Sequence, residues 1–207
     1  MSKQVLRSFL GLVMVAGIAL ALWPLGQSVY ANWSQQQLRA EWEQSSQKSE
    51  LAQPKKASAS PSIAKPKIEQ PRAKWPKTRL VIPDADVDVI VLDGWDDNTL
   101  KRAPGHWPSS ALPGQAGNCA IAGHSNVYGS PFYKINGLQP GAPIELRTPQ
   151  GTYLYRVLEV KSVVDTDTSV IQPSTDPQMP PLLTLVTCTI PRTLHRVVVS
   201  ASLEPAS

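Results

Sequence analysis

Cysteine and histidine, on which disulfide-rich and many metal-binding proteins depend, are scarce in this sequence. Its 207 residues contain two cysteines, too few for a disulfide-rich fold or a four-thiolate zinc site. The three histidines are scattered and the acidic residues lack calcium-loop spacing, so we expect no metal and no other cofactor. There is no internal repeat, and twenty prolines argue against a helical bundle because proline breaks helix interiors.

The basic clusters of a nucleic-acid-binding domain are also missing from most of the chain. Residues 1–78 hold eleven Lys or Arg and four Glu, whereas residues 79–207 hold nine Lys or Arg and twelve Asp or Glu. The net charge of +4 therefore belongs to the first third. Because binding to nucleic acid requires clustered Lys and Arg, we expect no nucleic-acid partner.

The one long apolar run lies near the N-terminus. Residues 9–26 carry no charge and are rich in Leu, Val, Ala and Ile, and two basic residues precede them. A helix of this length extends about 27 Å, which matches a hydrocarbon core. We predict a cytoplasmic segment at 1–8, a single membrane span at 9–30 and an extracytoplasmic remainder. The alternative is a cleaved signal peptide that ends at Ala31.

Residues 31–78 are predicted to form an extracytoplasmic stalk and a linker. The part at 33–52 reads as a polar helix in which Leu38 and Trp42 lie four residues apart, an apolar stripe too thin to require packing. In 53–77, prolines recur about every five residues among Lys, Ala and Ser. Such a segment favours extended conformations, so we interpret it as a tether that lifts the folded domain off the membrane. The alternative is that its lysines bind anionic lipid or wall polymer.

From residue 79 onward the pattern changes to short β-branched runs separated by proline and glycine. The runs are 79–82, 87–92, 120–122, 143–148, 152–164, 182–188 and 195–203. Only 98–102 and 131–138 resemble helical turns. Short strands with turn signals between them are typical of an all-β sandwich or barrel, and residues 79–207 suffice for one such domain.

A cysteine ends one of these runs. Cys188 closes Thr-Leu-Val-Thr-Cys, and a thiol at a strand end could be a nucleophile or half of a disulfide in an oxidising compartment. The following run is separated from it by a proline-containing turn, so we predict a hairpin. If the turn centres on Arg192, Cys188 lies opposite Arg196 on the same face. A guanidinium there would stabilise a thiolate and a developing oxyanion, whereas Arg192 is the weaker candidate.

A thiolate also needs a proton carrier, and the chain has three histidines. His195 points to the strand face opposite the predicted arginine, and His106 lies among prolines and glycines as a loop residue. His124 shares a strand face with the small Ala120 and Ala122, and we expect an open face above these alanines. His124 is therefore the predicted general acid and base.

Taken together, these residues resemble the sortase family. The resemblance rests on Thr-Leu-Val-Thr-Cys188 followed by Arg196, on Ala-Gly-His-Ser around His124, and on Gly-His-Trp-Pro, Leu-Pro-Gly and Gly-Asn upstream. It covers residues 79–203. It implies a closed eight-stranded β-barrel with short helices, in a membrane-anchored cysteine transpeptidase. The short stretch between the cysteine and the arginine resembles class D and class E sortases more than class A.

The resemblance also implies roles for single residues. Cys188 would attack the carbonyl after the Thr of a Leu-Pro-x-Thr-Gly-like motif near the C-terminus of a surface or pilin protein. His124 would protonate the leaving amine and then deprotonate the incoming amine of a peptidoglycan stem peptide or a pilin lysine. Arg196 would hold the carbonyl oxygen, and Thr187 would add a hydrogen bond. The catalytic domain would lie outside the cell membrane.

Cys119 stands where an ordinary apolar residue is expected, and we predict that it is buried and unpaired. Two other classes of protein remain open. One is another cell-wall cysteine enzyme, either an L,D-transpeptidase or a papain-like protease, although the glycine before the nucleophile and the N-terminal helix cysteine of those enzymes are absent. The other is a non-catalytic adhesion domain in which Cys119 is bridged to Cys188.

Overall fold

A long helix and a barrel of strands make up the computed structural model, which describes residues 3–52, 74–172, 180–191 and 193–205. The helices are α1 (Lys3–Ala52) and α2 (Asp97–Leu100), and the strands are β1 (Thr78–Ile82), β2 (Val87–Asp93), β3 (Gly105–His106), β4 (Asn118–Ala122), β5 (Pro143–Thr148), β6 (Gly151–Val164), β7 (Leu182–Cys188) and β8 (His195–Leu203). Single 3-10 turns occur at Pro83–Ala85, Ile135–Gly137 and Ser169–Ile171. The candidate Arg192 and most of the predicted tether lie outside the described residues.

The eight strands close into a barrel in the order β1, β2, β3, β4, β7, β8, β6 and β5. Neighbouring strands are antiparallel except for β2 with β3 and β4 with β7, which are parallel. The predicted eight-stranded barrel is confirmed, and seven strands coincide with predicted runs. The eighth, β3, was missed because two residues in a proline- and glycine-rich segment carry no periodic pattern. His106, expected in a loop, lies in this strand.

Side chains alternate between the two faces of the barrel wall. In β4, Cys119 and Ile121 join the large interior cluster, whereas Ala120 belongs to a smaller cluster on the outer face. Cys119 is buried and not disulfide-bonded, as predicted. Burial raises the pKa of its thiol because the low-dielectric interior disfavours the thiolate.

Helix α1 contains the predicted apolar segment. Within Gly11–Ser45, an 18-residue window has a mean hydropathy of 1.8, and none of that window is buried against the barrel. By length and composition this helix can cross a membrane. It is therefore consistent with the predicted anchor.

The second half of α1 packs against the barrel, so the prediction of an unpacked stalk was wrong. Leu38 is buried together with Ile90 and Ala103, and Trp42 packs against this cluster. Arg79 of β1 also lies over the Trp42 ring, with 5.4 Å between the guanidinium carbon and the ring centroid. The apolar pair that looked too thin is sufficient because polar contacts flank it.

Those polar contacts cover an open edge of the sheet. Strand β3 pairs only with Leu92 and Asp93 of β2, so the earlier part of β2 lacks a neighbour on that side. The side-chain amide of Gln35 replaces the missing neighbouring strand. Its Oε1 accepts from Ile90 N at 2.9 Å and its Nε2 donates to Ile90 O at 3.2 Å. Arg39 donates to the backbone oxygen and the carboxylate of Asp88. An exposed strand edge is thereby satisfied by side chains of α1.

The chain returns to α1 just before the barrel begins. Lys77 donates through Nζ to the Glu41 carbonyl oxygen at 3.2 Å, and Trp75 is buried next to β2. The segment interpreted from the sequence as a lifting tether therefore connects two parts of the chain that both contact the barrel. Residues 53–73 lie outside the described residues, so the role of this segment stays a prediction.

The edge contact can be tested by replacing Gln35 with leucine. The change leaves the Ile90 N–H and C=O without partners while keeping the size of the side chain, so it should weaken docking by about 1–3 kcal/mol. We expect hydrogen exchange of the Ile90 amide to accelerate by about tenfold or more. Gln36→Leu, at the exposed neighbouring position, is the matched control. Equal exchange rates in the two variants would contradict this docking mode.

Candidate active site

The ends of β4 and β7 bring two of the predicted site residues together. These strands are parallel, with Ala122 opposite Val186, and Gly123 N donates to Val186 O at 3.0 Å. His124 and Cys188 follow this pairing by the same number of residues. They therefore lie at the same end of the barrel, His124 in the loop that follows β4 and Cys188 as the last residue of β7.

Cys188 is also paired with Arg196 across the β7–β8 hairpin, in the register predicted from the sequence. Nη1 of Arg196 lies 3.5 Å from the Cys188 Sγ, and both side chains are partly exposed. Nη2 of Arg196 lies 4.0 Å from Oδ2 of Asp165, which follows β6. Because β6 pairs with β8 on the side away from β7, the guanidinium lies between this carboxylate and the sulfur.

The loop that carries His124 is held by close packing. A Cβ on Gly123 would lie 2.6 Å from the Phe132 ring, so only glycine fits before His124. Phe132 N donates to His124 O at 2.9 Å, which closes the loop behind the histidine. The ring of Tyr128 lies 5.3 Å from the imidazole centroid, tilted by 40°. The imidazole is half-buried and confined beside an aromatic side chain.

Two side-chain hydroxyls tie the end of β7 to this loop. The Thr187 hydroxyl donates to Gly123 O at 2.7 Å and the Ser125 hydroxyl donates to Cys188 O at 2.9 Å. Both residues are buried. Since the proton of Thr187 is used in this bond, its geometry suits positioning of the loop better than the predicted contact with substrate. Hydrogen bonds thus hold the backbone on both sides of His124.

Removal of the Ser125 hydroxyl should loosen this arrangement. For the peptide transfer that the sequence resemblance implies, we expect Ser125→Ala to lower kcat by about three- to tenfold, the equivalent of one hydrogen bond, with little change in KM. Ser125→Thr keeps the hydroxyl and should restore most of the rate. Ser109→Ala, at an exposed loop position, should have no effect. A rise in KM alone would show that Ser125 acts on substrate binding instead.

A buried apolar cluster lies behind the cysteine on the outer face of the barrel wall. Val186 and Val198 lie opposite each other one step behind the Cys188–Arg196 pair, and they cluster with Ala120 and Ile171. Trp95 and Trp107 pack against this cluster, with ring centroids 4.6 Å apart in an edge-to-face arrangement. The face above Ala120 is therefore covered by these side chains and not open as predicted.

The remaining predicted residues lie elsewhere. Cys119 pairs with Leu183, five residues before Cys188 along β7, a separation of about 16 Å that a disulfide cannot bridge. Both thiols are free, which argues against the bridged adhesion domain. His106 is buried, with Nδ1 3.0 Å from Oδ1 of Asp93 and Nε2 2.9 Å from the Ser110 hydroxyl. Within the described parts of the chain, no group of three or more His, Cys, Asp or Glu residues could hold a metal.

Three residues of this site were not found in the sequence. Ser125 directly follows the predicted histidine, and that adjacency was the one available signal. Asp165 and Tyr128 gave none, because their proximity depends on the pairing of β6 with β8 and on the path of the loop after β4.

Comparison with known proteins gives a consistent result. A family model for the sortase domain matches residues 80–204. Sortase SrtE1 of Streptomyces coelicolor is 33% identical over 102 residues, which cover 45% of this chain and 29% of the relative. The matches to curated relatives cover between 29% and 55% of their lengths, less than two thirds in each case.

Solved structures of related proteins have the same barrel. Sortase E from Streptomyces avermitilis is 33% identical with a TM-score of 0.55, over 63% of this chain and 88% of that structure. The Sortase D5 transpeptidase of Clostridium perfringens has a TM-score of 0.61 over 86% of this chain and 99% of that one. Its identity is 23%, a level at which the likeness concerns the fold alone.

Proposed function

This chain belongs to the sortase family, and from that premise we propose that it is a membrane-anchored cysteine transpeptidase. It cuts a Leu-Pro-x-Thr-Gly-like motif near the C-terminus of a surface protein and joins the acyl part to an amine. In this proposal Cys188 is the nucleophile, His124 the general acid and base, and Arg196 the group that binds the oxyanion. Thr187 holds the loop of His124 and does not contact substrate.

One observation carries the proposal. Cys188 Sγ lies 3.5 Å from the Arg196 guanidinium, and His124 lies in the loop after β4, which the Ser125 hydroxyl binds to the Cys188 carbonyl oxygen. A thiol, a cation and an imidazole at one strand end are the groups that acyl transfer requires. The same strand end is partly exposed, so a peptide carbonyl can reach the sulfur.

The first half of the reaction forms a thioester. The Cys188 thiolate adds to the carbonyl carbon after the motif's Thr, and the carbonyl oxygen becomes an oxyanion that the Arg196 guanidinium stabilises. The C–N bond then breaks, and protonated His124 donates its proton to the leaving amine. The products are a thioacyl-enzyme, neutral His124 and a released C-terminal fragment.

The second half returns the enzyme to its starting state. An acceptor amine adds to the thioester carbonyl, and His124 takes the proton that the amine loses. The C–S bond breaks, the thiolate leaves and a new amide bond remains. Water in place of the amine gives hydrolysis. The partly exposed Trp95 and Trp107, which pack over the buried Val186 and Val198, support binding of the motif's Leu and Pro side chains.

The proposed activity is tested by mass spectrometry of the full chain mixed with a library of sorting peptides. We expect an acyl adduct on Cys188, and we expect its transfer to an added amine such as a short peptide with a free N-terminus. No adduct with any peptide, with both thiols intact, would contradict the proposal. Cleavage without amine incorporation would indicate a protease.

Arg196 should contribute strongly to both halves of the reaction. We expect Arg196→Ala to lower kcat/KM by about 10²- to 10³-fold, the usual effect of losing one oxyanion donor. Arg196→Lys keeps the charge but loses the planar fork, so it should restore only part of the rate. Arg156→Ala removes an exposed arginine that pairs with Glu204 and serves as the control. Equal rates for the two alanine variants would show that the cation beside the sulfur has no catalytic role.

A further inference from the structure

Helix α1 leaves very little distance between its apolar segment and the barrel. The apolar run ends at Gly26, and the first described residue buried against the barrel is Ala31. The helix is continuous between them, so five residues separate them by about 7.5 Å. A barrel attached this way lies within the headgroup region of any membrane that α1 crosses.

The contacts along α1 show which end of the barrel faces the apolar segment. Ala31 and Asn32 lie nearest to Gly129, since a Cβ there would be 3.5 Å from the Ala31 Cβ. Gln35 then binds Ile90, and Trp42, furthest along the helix, packs near Arg79 at the other end of the barrel. The loop after β4 is therefore on the side of the apolar segment.

Strand directions place the candidate active site at this same end. Strands β4 and β7 run parallel and both finish there, with His124 and Cys188 at their ends. Strand β8 runs antiparallel to β7 and starts there with His195. Strand β6 runs antiparallel to β8, so Val164 ends there as well.

Large apolar side chains are exposed at this end of the barrel. They are Tyr133, Val164, Ile190 and Leu194, with exposed fractions of 58%, 49%, 51% and 75%. Tyr133 and Ile190 line one cavity together with Asp84, Lys134, Asn136 and Gly137, so the loop after β4 and the β7–β8 turn are neighbours at this end. Among the described barrel residues, Leu158 in the middle of β6 is the one other large apolar side chain exposed to this degree. Grouping of this kind marks an interaction surface, whereas single exposed side chains are ordinary.

Two aromatic residues of α1 lie next to this same end of the barrel. Tyr30 and Trp33 follow the apolar run, are about half exposed and lie 6.4 Å apart. Tyr and Trp are enriched where a membrane meets water. They flank Ala31, the residue that contacts the loop after β4.

Charges at this end are largely compensated. Lys134 pairs with Asp86, Arg196 lies beside Asp165, and the exposed Asp84 and partly exposed Asp167 add negative charge. The described residues of this surface therefore form no cationic patch with which to attract anionic lipids. Contact with a bilayer would depend on its apolar side chains.

We propose that the membrane-facing rim, defined as Tyr133, Val164, Ile190 and Leu194, rests in the headgroup layer of the bilayer that α1 crosses. The rim brings Cys188 and His124 to the lipid surface, so the site receives substrates presented at that surface. This inference depends on the proposed membrane anchoring of α1 and not on the chemistry of the site.

Photo-crosslinking tests the contact in the full chain held in phosphatidylcholine nanodiscs. A benzophenone amino acid replaces Ile190 or Leu194 in the rim, Leu158 as a control of matched exposure, or Leu20 in the apolar segment. We expect lipid adducts at Ile190 and Leu194 about fivefold or more above those at Leu158, unchanged in high salt because the contact is apolar.

The other outcomes separate the claims. If lipid adducts form at Leu20 but the yields at Ile190 and Leu194 are no higher than at Leu158, the rim contact is wrong and the membrane anchor is still supported. No adducts at Leu20 would overturn the anchor and the rim contact together. Rim adducts to a second copy of the chain, without lipid, would identify a protein interface and contradict the proposal. A peptide-acylation assay on the same nanodiscs reports the enzyme activity independently.

Discussion

Replacement of Cys188 by alanine should lower kcat/KM for a sorting peptide by about 10⁴-fold or more, with no acyl adduct on the protein. The proposed reaction passes through a thioester on this sulfur, and no other described side chain can take its place. Cys119 has a free thiol, but it lies in the barrel interior. The loss is measured by mass spectrometry of the acyl adduct and by the rate at which the peptide is transferred to an amine.

Cys119→Ala is the matched control for this prediction. The substitution removes one buried sulfur atom, which should cost about 1 kcal/mol of stability and leave the acylation rate unchanged. Because burial raises the pKa of the Cys119 thiol, an alkylating reagent added to the native protein should label Cys188 alone. If Cys188→Ala still transferred peptides to the amine, or if Cys119→Ala did not, the nucleophile would have been assigned to the wrong cysteine.

Replacement of His124 by alanine should lower kcat/KM by about 10²- to 10⁴-fold, the range of a general acid and base. The leaving amine must gain a proton, and the acceptor amine must lose one. Without His124, water must donate the proton to the leaving amine and accept the proton of the acceptor amine. The ionisation of the imidazole should also disappear from the dependence of kcat/KM on pH, measured between about pH 5 and 9.

His195→Ala is the control for this second prediction. His195 lies next to Arg196 in the sequence, is exposed and has its Nδ1 3.5 Å from the Thr193 hydroxyl. Its loss should leave both the rate and the pH profile unchanged. If His195→Ala altered the profile and His124→Ala did not, the assignment of the proton carrier would have to be reversed.

The sequence was sufficient for features that depend on neighbouring residues. The β7–β8 hairpin is the clearest case, since a turn centred on Arg192 predicted the pairing of Cys188 with Arg196. The burial of Cys119 followed in the same way from alternation along β4. In both cases the relevant geometry repeats every two residues and needs no knowledge of the rest of the chain.

The docking of α1 shows what an apolar pattern overlooks. Leu38 and Trp42 form a thin apolar stripe, but Gln35 and Arg39 supply hydrogen bonds to an uncovered edge of β2. That edge exists because β3 is only two residues long. A pattern of hydrophobic residues cannot reveal a contact that forms because backbone N–H and C=O groups of a strand lack hydrogen-bond partners.

By itself, the sequence determined the apolar helix, the succession of strands and the cysteine–arginine pair, because each depends on local composition or on a single turn. Only the tertiary structure brought His124 and Cys188 to the same end of the barrel, since β4 and β7 are separated by two intervening strands in the chain and pair in parallel. It also decided that α1 binds the barrel and that the end carrying these residues faces the apolar segment. These arrangements depend on hydrogen bonds and packing between residues far apart in sequence, which no local pattern records.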